Sequence, residues 1–375
     1  MRGKPTTRER LGAVGSRLII GLMNRVCCAL MAAQEQTLTE MARGYFRSRA
    51  LSAAARLGVA DALGDGERTV EQLATACGAQ AASLYRLLRA LGSFGVVAET
   101  KPGSFVLTPL GNPLRKAAPD SEWASVVFWA DLLADPWSYL TECIRDGENA
   151  GRIVERKGVA MRWSSDPNAG AIFRAVMGTA PAEDYLPVAR AWDFAKYHVV
   201  ADLGGGGGAL ITAILKAFPN VSGMLVDRQE AIEAAAPRFK KEGLDGRCKL
   251  LAADLRKEVP AGAEVYTMQH VLHGYDDEAA TEILLHCRAV LPPDGRLLVI
   301  EFVLPDAVDH ADAELEGRLM SDLNMLAVTG GKERSDVQWK GLLNSAGFQC
   351  QRIIPVPRDS EAAARWGNAS IIEAA

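Results

Sequence analysis

Five consecutive glycines, Gly204–Gly208, follow an apolar run that ends in Asp202, and a helical pattern begins directly after them at Ala209. Glycines in a strand-to-helix turn let the backbone pass close to a ligand, with the first N–H groups of the helix directed at it. The next apolar run ends in Asp227, where nucleoside-binding α/β units place a carboxylate for the ribose. We therefore predict a cofactor that contains a nucleoside.

Two kinds of nucleoside cofactor fit this turn. The spacing of Gly204, Gly206 and Ala209 satisfies the dinucleotide fingerprint, and Asp227 suits the ribose of NAD. Asp202 is expected to face the crevice that a pyrophosphate would occupy, and like charges there repel. A carboxylate at this position favours a cationic cofactor such as S-adenosylmethionine, which carries an ammonium and a sulfonium. An NAD-dependent oxidoreductase and a turn that binds nothing remain the alternatives.

Composition limits the possible partners and cofactors of the chain. With 375 residues, a formal net charge of −4 and 49% hydrophobic residues, it has room for two or three cores and no electrostatic signature of nucleic-acid binding. The seven cysteines form no C-x-x-C pair, which predicts a reducing compartment and a cytoplasmic protein. The five histidines show no metal-ligand spacing, so no metal is predicted.

Residues 1–41 form an N-terminal extension in this interpretation. A basic start precedes an apolar run from Leu18 to Met31, which Asn24 and Arg25 interrupt. The run resembles part of a signal peptide but is too short to cross a bilayer. We predict an amphipathic helix or an upstream extension, and no stable insertion into a membrane.

Residues 42–113 follow the order of a winged helix. Helical spacing is followed by a capping-box pattern and two strand-like runs; the predicted helices are Ala42–Leu63, Thr69–Cys77 and Ala81–Leu91. The third helix carries only Arg86 and Arg89 as cations and is otherwise apolar. Such a helix favours packing against protein over binding DNA, so we predict a dimerisation domain.

Residues 114–192 are predicted to form helices rich in aromatic side chains. Two interpretations of these side chains stay open: an ordinary core, and the wall of a pocket for an aromatic ligand. From residue 193 to residue 375, strand and helix patterns alternate, which predicts a parallel sheet with right-handed crossovers. The predicted strands are His198–Asp202, Gly223–Asp227, Lys249–Ala253, Glu264–Gln269 and Arg296–Phe302, with Phe348–Pro355 and Ala369–Glu373 as an antiparallel pair at one edge.

Ligands of open α/β sheets bind at the carboxyl ends of the strands. There, Asp254 is placed to accept from an adenine amino group or to cap a helix, and Leu255 to pack on the ring. His273 follows the fourth strand, and Glu301 ends the neighbouring one. A carboxylate on the Nδ1 side would stabilise the imidazolium of a general base. His270 competes for this role but is expected to lie inside its strand.

A general base at His273 meets an energetic deficit when its partner is a weak acid, for example a phenol. A phenol has a pKa of about 10 and imidazole one of about 6.5, so full proton transfer is uphill by about 5 kcal/mol. A carboxylate beside the ring and a dry cleft would lower this cost.

Four segments carry a family resemblance: Asp202–Gly208, Val271–Asp277, Leu298–Glu301 and Gly330–Ser335. In this order they resemble the motifs of the S-adenosylmethionine-dependent O-methyltransferases of the caffeate, acetylserotonin and bacterial polyketide-tailoring type. The resemblance covers about residues 42–375. It implies an α/β fold, in which a mainly helical winged-helix dimerisation domain precedes a Rossmann-like class I methyltransferase domain, and a homodimer with interlocked N-terminal parts.

The resemblance also implies roles for individual residues. The cofactor would be bound by Asp202, Gly204, Gly205, Gly206, Gly208, Asp227, Asp254, Leu255 and Gln269. The catalytic group would be His273 as general base, bracketed by Glu301 and Glu333. The acceptor pocket would include Phe173, Met177 and Met325.

This chain departs from the family pattern at three points. Gly274 and Tyr275 follow the histidine where the family has Asp-Trp, Gln269 replaces a common lysine, and Arg174 replaces an asparagine. These changes point to an unusual acceptor or to a relative that binds the cofactor without transferring methyl. The sequence thus predicts methylation of a phenolic or enolic hydroxyl. The alternatives are carbon or nitrogen methylation, a non-catalytic cofactor-binding or DNA-binding regulator, and the oxidoreductase above.

Overall fold

The structure, a computed structural model, describes residues 37–161, 166–178, 180–309, 312, 314–357 and 369–375. The predicted N-terminal extension therefore lies almost entirely outside the described residues. Contacts divide the chain into two compact units, Met1–Ala50 and Leu51–Ala375. Among the described residues, no helix has both the length and the apolar character needed to cross a membrane. The described cysteines are all free, and the cellular compartment stays a prediction.

The helices are α1 Leu38–Leu57, α2 Val59–Leu63, α3 Val70–Cys77, α4 Ala81–Ser93, α5 Trp123–Val127, α6 Ala134–Ser138, α7 Leu140–Asp146, α8 Ala150–Lys157, α9 Ala169–Gly178, α10 Leu186–Arg190, α11 Ala209–Ala217, α12 Gln229–Lys241, α13 Asp277–Val290, α14 Leu315–Val328 and α15 Asp336–Ser345. The strands are β1 Arg68–Thr69, β2 Val97–Lys101, β3 Ser104–Leu107, β4 Val199–Leu203, β5 Ser222–Asp227, β6 Cys248–Ala252, β7 Val265–Gln269, β8 Arg296–Leu304, β9 Arg334–Ser335, β10 Cys350–Pro355 and β11 Ala369–Ala374.

The first unit contains the start of α1, which begins earlier than predicted. Thr37 and Glu40 form a reciprocal cap, because the Glu40 carboxylate accepts the Thr37 N–H at 2.8 Å and the Thr37 hydroxyl accepts the Glu40 N–H at 3.2 Å. The exposed apolar side chains of this segment are Leu38, Met41, Tyr45 and Phe46.

In the second unit, the predicted helix Ala42–Leu63 is broken at Gly58, whose φ of 68° ends α1 and begins α2. The capping box at Thr69 is present and begins α3. A short strand β1 joins the predicted hairpin to give the sheet order β1-β3-β2. The helical character of this region is confirmed, but its assignment as a winged helix is not.

The main sheet has the order β10-β11-β8-β7-β4-β5-β6, and β9 pairs in parallel with the end of β8. β4 to β8 are mutually parallel, while β11 runs antiparallel to both β8 and β10. The predicted parallel sheet with an antiparallel edge is thus confirmed. Apolar side chains of α11 and α12 cover one face, and those of α13 and α15 cover the other. Both faces are buried, which leaves the carboxyl ends of the strands for a site.

Candidate active site

The glycine turn between β4 and α11 depends on residues without a side chain. Gly204, Gly206 and Gly208 have φ values of 68°, 54° and 73°, a region that L-residues with a Cβ rarely adopt. A Cβ on Gly205 would lie 2.6 Å from a methyl of Leu225, whereas one on Gly206 would meet nothing within 4 Å. The turn is packed on its inner side and open at Gly206, as a backbone cradle for a ligand requires.

Asp202, at the end of β4, lies beneath this turn and not on its open side. Its side chain is fully buried, Oδ1 accepts a hydrogen bond from Thr267 Oγ1 at 2.8 Å, and its carboxyl lies directly against Gly205. Burial disfavours the charged form and raises the pKa of Asp202 to about 7. The expectation that the Asp202 carboxylate points into the crevice is therefore wrong, because the register of β4 with β7 pairs Asp202 with Thr267 and its carboxyl lies under the turn. Its role as a cofactor ligand stays a prediction.

Asp227, at the end of β5, does meet the turn. Its Oδ2 accepts the Gly206 N–H at 2.8 Å, and its Oδ1 accepts the Arg228 N–H at 2.6 Å. The predicted ribose carboxylate thus lies at the open point of the glycine turn.

Asp254, which follows β6, is exposed, and its Oδ1 accepts the Arg256 N–H at 3.1 Å, as a local turn cap does. Leu255 is buried in the core beside the sheet. Gln269, at the end of β7, has a buried side-chain amide for which the described residues provide no hydrogen-bond partner. An unpaired buried amide is costly, so it marks a place where a ligand is expected to bond. Cofactor contacts of all three residues stay predictions.

His273 lies in a single 3₁₀ turn, Leu272–Gly274, after β7. Its Nδ1 is 2.8 Å from Oε1 of Glu333 and 3.6 Å from Oε2 of Glu301. Both carboxylate side chains are fully buried, while the His273 side chain keeps 15% exposure. Burial acts to lower the pKa of His273, but the two carboxylates outweigh it and raise the pKa to about 9. Because Nδ1 faces the carboxylates, Nε2 is the nitrogen that can exchange a proton with an acceptor.

Glu301, in β8, organises the loop around His273. Its Oε1 accepts the backbone N–H groups of Val271 at 3.0 Å and of His273 at 3.3 Å. Burial acts to raise the pKa of Glu301, and the neighbouring histidines outweigh this and lower it. Glu301 is expected to lie on the Nδ1 side of the ring, bracketing His273 with Glu333. In the structure the shorter contact, 2.8 Å, is to Glu333, and Glu301 also bonds the backbone of the loop.

His270 lies outside its strand, contrary to expectation. It follows β7 with a φ of 50°, and its Nδ1 is 3.3 Å from Oε2 of Glu301. His270, His273 and Glu301 offer ligand-type atoms within 4.8 Å of one another, close enough to share a metal ion. The proton-holding contacts above account for this grouping, and the absence of a metal stays a prediction.

Glu333 is itself held in place. The Ser321 hydroxyl donates to its Oε1 at 2.7 Å, and its backbone N–H donates to Oδ1 of Asp322 at 2.9 Å. Sequence reasoning missed Ser321, which carries no motif. Arg334 lies within the motif Gly330–Ser335, but the resemblance implies no role for it. Nothing in the local sequence marks that arginine as fully buried.

The predicted pocket residues lie on two helices. Phe173 and Met177, on α9, are 41% and 40% exposed, and the Phe173 ring packs 5.9 Å from that of Phe128. Met325, on α14, is half-buried and lies four residues after Ser321, on the same side of the helix. Contact of these residues with an acceptor stays a prediction.

Comparison with known families decides the class. Residues 137–349 match the O-methyltransferase domain, and residues 39–116 match the O-methyltransferase dimerisation domain. The chain belongs to the O-methyltransferase family. The oxidoreductase alternative is thereby set aside, and the predicted class I fold with an N-terminal dimerisation domain is confirmed.

Individual relatives agree with this assignment. The chain is 33% identical over 318 residues to the phenazine O-methyltransferase PhzM of Lysobacter antibioticus, covering 85% of this chain and 92% of that one. It is 33% identical to 8-amino-8-demethylriboflavin N,N-dimethyltransferase of Streptomyces davaonensis, covering 81% and 87%. The structure matches that of the O-methyltransferase NcsB1 from neocarzinostatin biosynthesis, in complex with S-adenosylmethionine and 2-hydroxy-5-methyl naphthoic acid. The TM-score is 0.71, with 32% identity and coverage of 88% and 95%.

Proposed function

We propose that this protein transfers a methyl group from S-adenosylmethionine to a phenolic or enolic hydroxyl of an aromatic secondary metabolite, with His273 as the general base. The observation that carries the proposal is the placement of His273. Its Nδ1 is bracketed by two buried carboxylates. The loop that holds it also packs on the glycine turn, since a Cβ on Gly204 would lie 2.7 Å from Val271.

The residues at the strand ends fit the proposed cofactor. The turn is open at Gly206, Asp227 provides carboxylate oxygens beside it, and the amide of Gln269 is buried without a partner among the described residues. A ligand with hydroxyl, amino and charged groups would satisfy these atoms. When bound, S-adenosylmethionine supplies a methyl group on a positively charged sulfur and leaves as a neutral thioether.

The chain's own task is to manage one proton. The acceptor hydroxyl would give its proton to Nε2 of His273, and its oxygen would then be free to take the methyl group, with the sulfur keeping the electron pair of the broken bond. With a histidine pKa of about 9, transfer from a phenol of pKa about 10 costs about 1.4 kcal/mol instead of about 5. Glu333 and Glu301 produce this difference because they stabilise the imidazolium.

Nitrogen methylation is the second candidate. It is supported by the similarity to an N,N-dimethyltransferase, since one relative of this kind is 33% identical to the chain over 316 residues. An arylamine acceptor releases its proton only after attack, so its reaction depends less on a base. A carbon acceptor or a non-methylating relative has no comparable support from a particular contact.

The test combines methyl-labelled S-adenosylmethionine with a panel of phenols and arylamines. His273→Ala should reduce transfer to a phenol by about 100-fold or more, with cofactor affinity by calorimetry nearly unchanged. His198→Ala is the matched control, because His198 is exposed at the opposite end of β4. A His273→Ala variant with wild-type turnover of a phenol would remove His273 from the mechanism, and transfer only to arylamines would favour the second candidate.

We also propose a homodimer that forms through residues 42–113 together with the start of α1. The support is the match to a dimerisation domain and the exposed apolar side chains of α1, among them Phe46 at 65% exposure. Phe46→Glu should give a monomer in light scattering at a concentration where the wild type is a dimer. Val337→Glu, at an isolated exposed position on α15, should leave the dimer intact. A wild type that is monomeric at every concentration would refute the proposal.

A further inference from the structure

Arg334 is an arginine with no exposed surface. Its guanidinium donates from Nη1 to the carbonyl of Leu272 at 3.1 Å and from Nη2 to the carbonyl of Tyr275 at 2.9 Å. Nε and Nη2 also donate to Oδ1 of Asp277, at 3.0 and 2.9 Å. Its planar group lies 5.1 Å from the ring of Trp339. A buried charge with this many directed bonds holds its partners in one geometry.

Two of the partners of Arg334 lie on either side of the base. Leu272 precedes His273, and Tyr275 follows the 3₁₀ turn. The carbonyl of His273 itself accepts the Lys332 N–H at 2.9 Å, and its N–H donates to Glu301. The backbone that carries the imidazole is therefore bonded from β8 on one side and from the segment before β9 on the other.

Glu333 and Arg334 are consecutive residues whose side chains point in opposite directions. Neighbouring side chains of an extended segment point to opposite faces, so one meets the imidazole ring and the other meets the backbone beneath it. Arg334 is fixed in turn because its residue pairs with Val303 at the end of β8, the strand that carries Glu301. One strand pairing thus sets the register of Glu333 and Arg334 relative to Glu301.

We propose that Arg334 is a positioning residue for methyl transfer: it holds the turn Leu272–Tyr275 so that Nε2 of His273 lies at the distance and angle at which it accepts the proton. The proposal rests on the proposed role of His273. Arg334 does not touch the acceptor or the cofactor in this account. It acts because a displacement of about 1 Å in a catalytic group can cost about 100-fold in rate.

The first test is Arg334→Lys, which keeps the charge but cannot bond two carbonyls and a carboxylate as a fork. We expect kcat to fall by about 10- to 100-fold, with KM and cofactor affinity within about twofold of wild type. In ¹⁵N-histidine NMR, the His273 resonances, assigned by their loss in His273→Gln, should shift. A variant that unfolds at lower temperature but keeps wild-type kcat and an unshifted His273 signal would reduce Arg334 to a structural residue.

A double-mutant cycle separates this proposal from the proposed function. If Arg334 acts through His273, then Arg334→Lys should not lower further the residual rate of His273→Ala. An equal loss in both backgrounds would overturn the positioning role while leaving His273 as base. A full-rate His273→Ala would instead refute the proposed function.

Asp277 offers a second variant that spares Arg334 itself. It anchors the guanidinium at the start of α13 and is 57% exposed, so the fold should tolerate its replacement. Asp277→Ala should lower kcat, and Asp277→Asn, which keeps an acceptor oxygen, should restore most of it. Glu282→Ala is the matched control, since it removes another exposed ion pair of α13, to Arg256, away from His273. Equal kcat values for Asp277→Ala and Glu282→Ala would contradict the anchor.

Discussion

Glu333→Gln isolates the charge that raises the basicity of His273. The amide keeps the shape of the side chain and an acceptor for the Ser321 hydroxyl and for Nδ1–H, but it loses the negative charge 2.8 Å from the ring. The pKa of His273 is about 9, against an ordinary 6.5. The largest possible change is a return to 6.5, which is about 3.4 kcal/mol of proton affinity; Glu301 remains and keeps part of it.

The effect of this change depends on pH. At pH 7 the wild-type histidine is already protonated, so forming the phenolate–imidazolium pair requires only ionisation of the phenol. The phenol pKa of about 10 lies about 3 units above this pH, so the pair is about 3 log units uphill. A histidine of pKa 6.5 is mostly neutral at pH 7, and forming the same pair is then about 3.6 log units uphill. The rate should therefore be lower by about fourfold. At pH 9 the pair is about 1.3 log units uphill for the wild-type histidine and about 3.5 log units uphill for a histidine of pKa 6.5. The rate should then be lower by about 150-fold. The defect should therefore grow by more than tenfold across two pH units.

The measurement is kcat with both substrates saturating, from pH 6.5 to 9.5, for wild type and Glu333→Gln. Wild-type kcat should rise with pH up to about 9, because only the neutral imidazole accepts a proton and its fraction increases toward the pKa. The variant should reach its plateau at a lower pH and a lower rate. A ratio of the two rates that stays constant with pH would refute the reasoning, as would a wild-type rate that does not change between pH 7 and 9.

Three further outcomes follow from burial and contacts. The folded-state pKa of His273 is raised, so the stabilisation it provides is present below about pH 6.5 and is lost as pH rises through 9. The free energy of unfolding in urea should therefore favour wild type over His273→Gln by about 3 kcal/mol less at the upper end of that range. A difference that stays constant with pH would contradict this. The folded-state pKa of Asp202 is also raised, to about 7 from 3.8, so Asp202→Asn should gain up to about 4 kcal/mol relative to wild type between pH 4 and 8; no gain would show that the carboxylate is stabilised when charged. Gly205→Ala, whose Cβ would lie 2.6 Å from Leu225, should lose about 1–3 kcal/mol in thermal unfolding, whereas Gly66→Ala, with nothing within 4 Å, should lose almost none.

The strands of the main sheet and their ends could be predicted from the sequence. Each is a short apolar run between turn signals, and the carboxyl ends of parallel strands meet at one edge whatever the details of packing. That is why the sequence predicts Asp227 and His273 at this edge, where they lie in the structure. The direction of a side chain at a strand end is a different matter. Asp202 lies in register with Thr267 of β7, and this pairing, which local sequence does not reveal, directs its carboxyl under the turn.

The contacts around His273 could not be derived from local pattern. His270 leaves β7 in a left-handed conformation, which no glycine or asparagine signals. Glu333 and Arg334 lie 60 and 61 positions after His273, and only the two-residue pairing of β9 with β8 brings them to it. The family resemblance predicts Glu333 beside His273, whereas the hydrogen bonds of Arg334 are seen only in the structure.

The electrostatic preference of the site survives, although on other residues than expected. Asp202 is buried with a pKa of about 7, so it is only partly charged near neutral pH. The buried carboxyl groups of Glu301 and Glu333 lie 3.6 and 2.8 Å from Nδ1 of His273. Asp227 adds a further carboxylate beside the glycine turn. A cation placed between the turn and the base is therefore attracted by buried charges that solvent screens weakly, whereas a diphosphate there would be repelled.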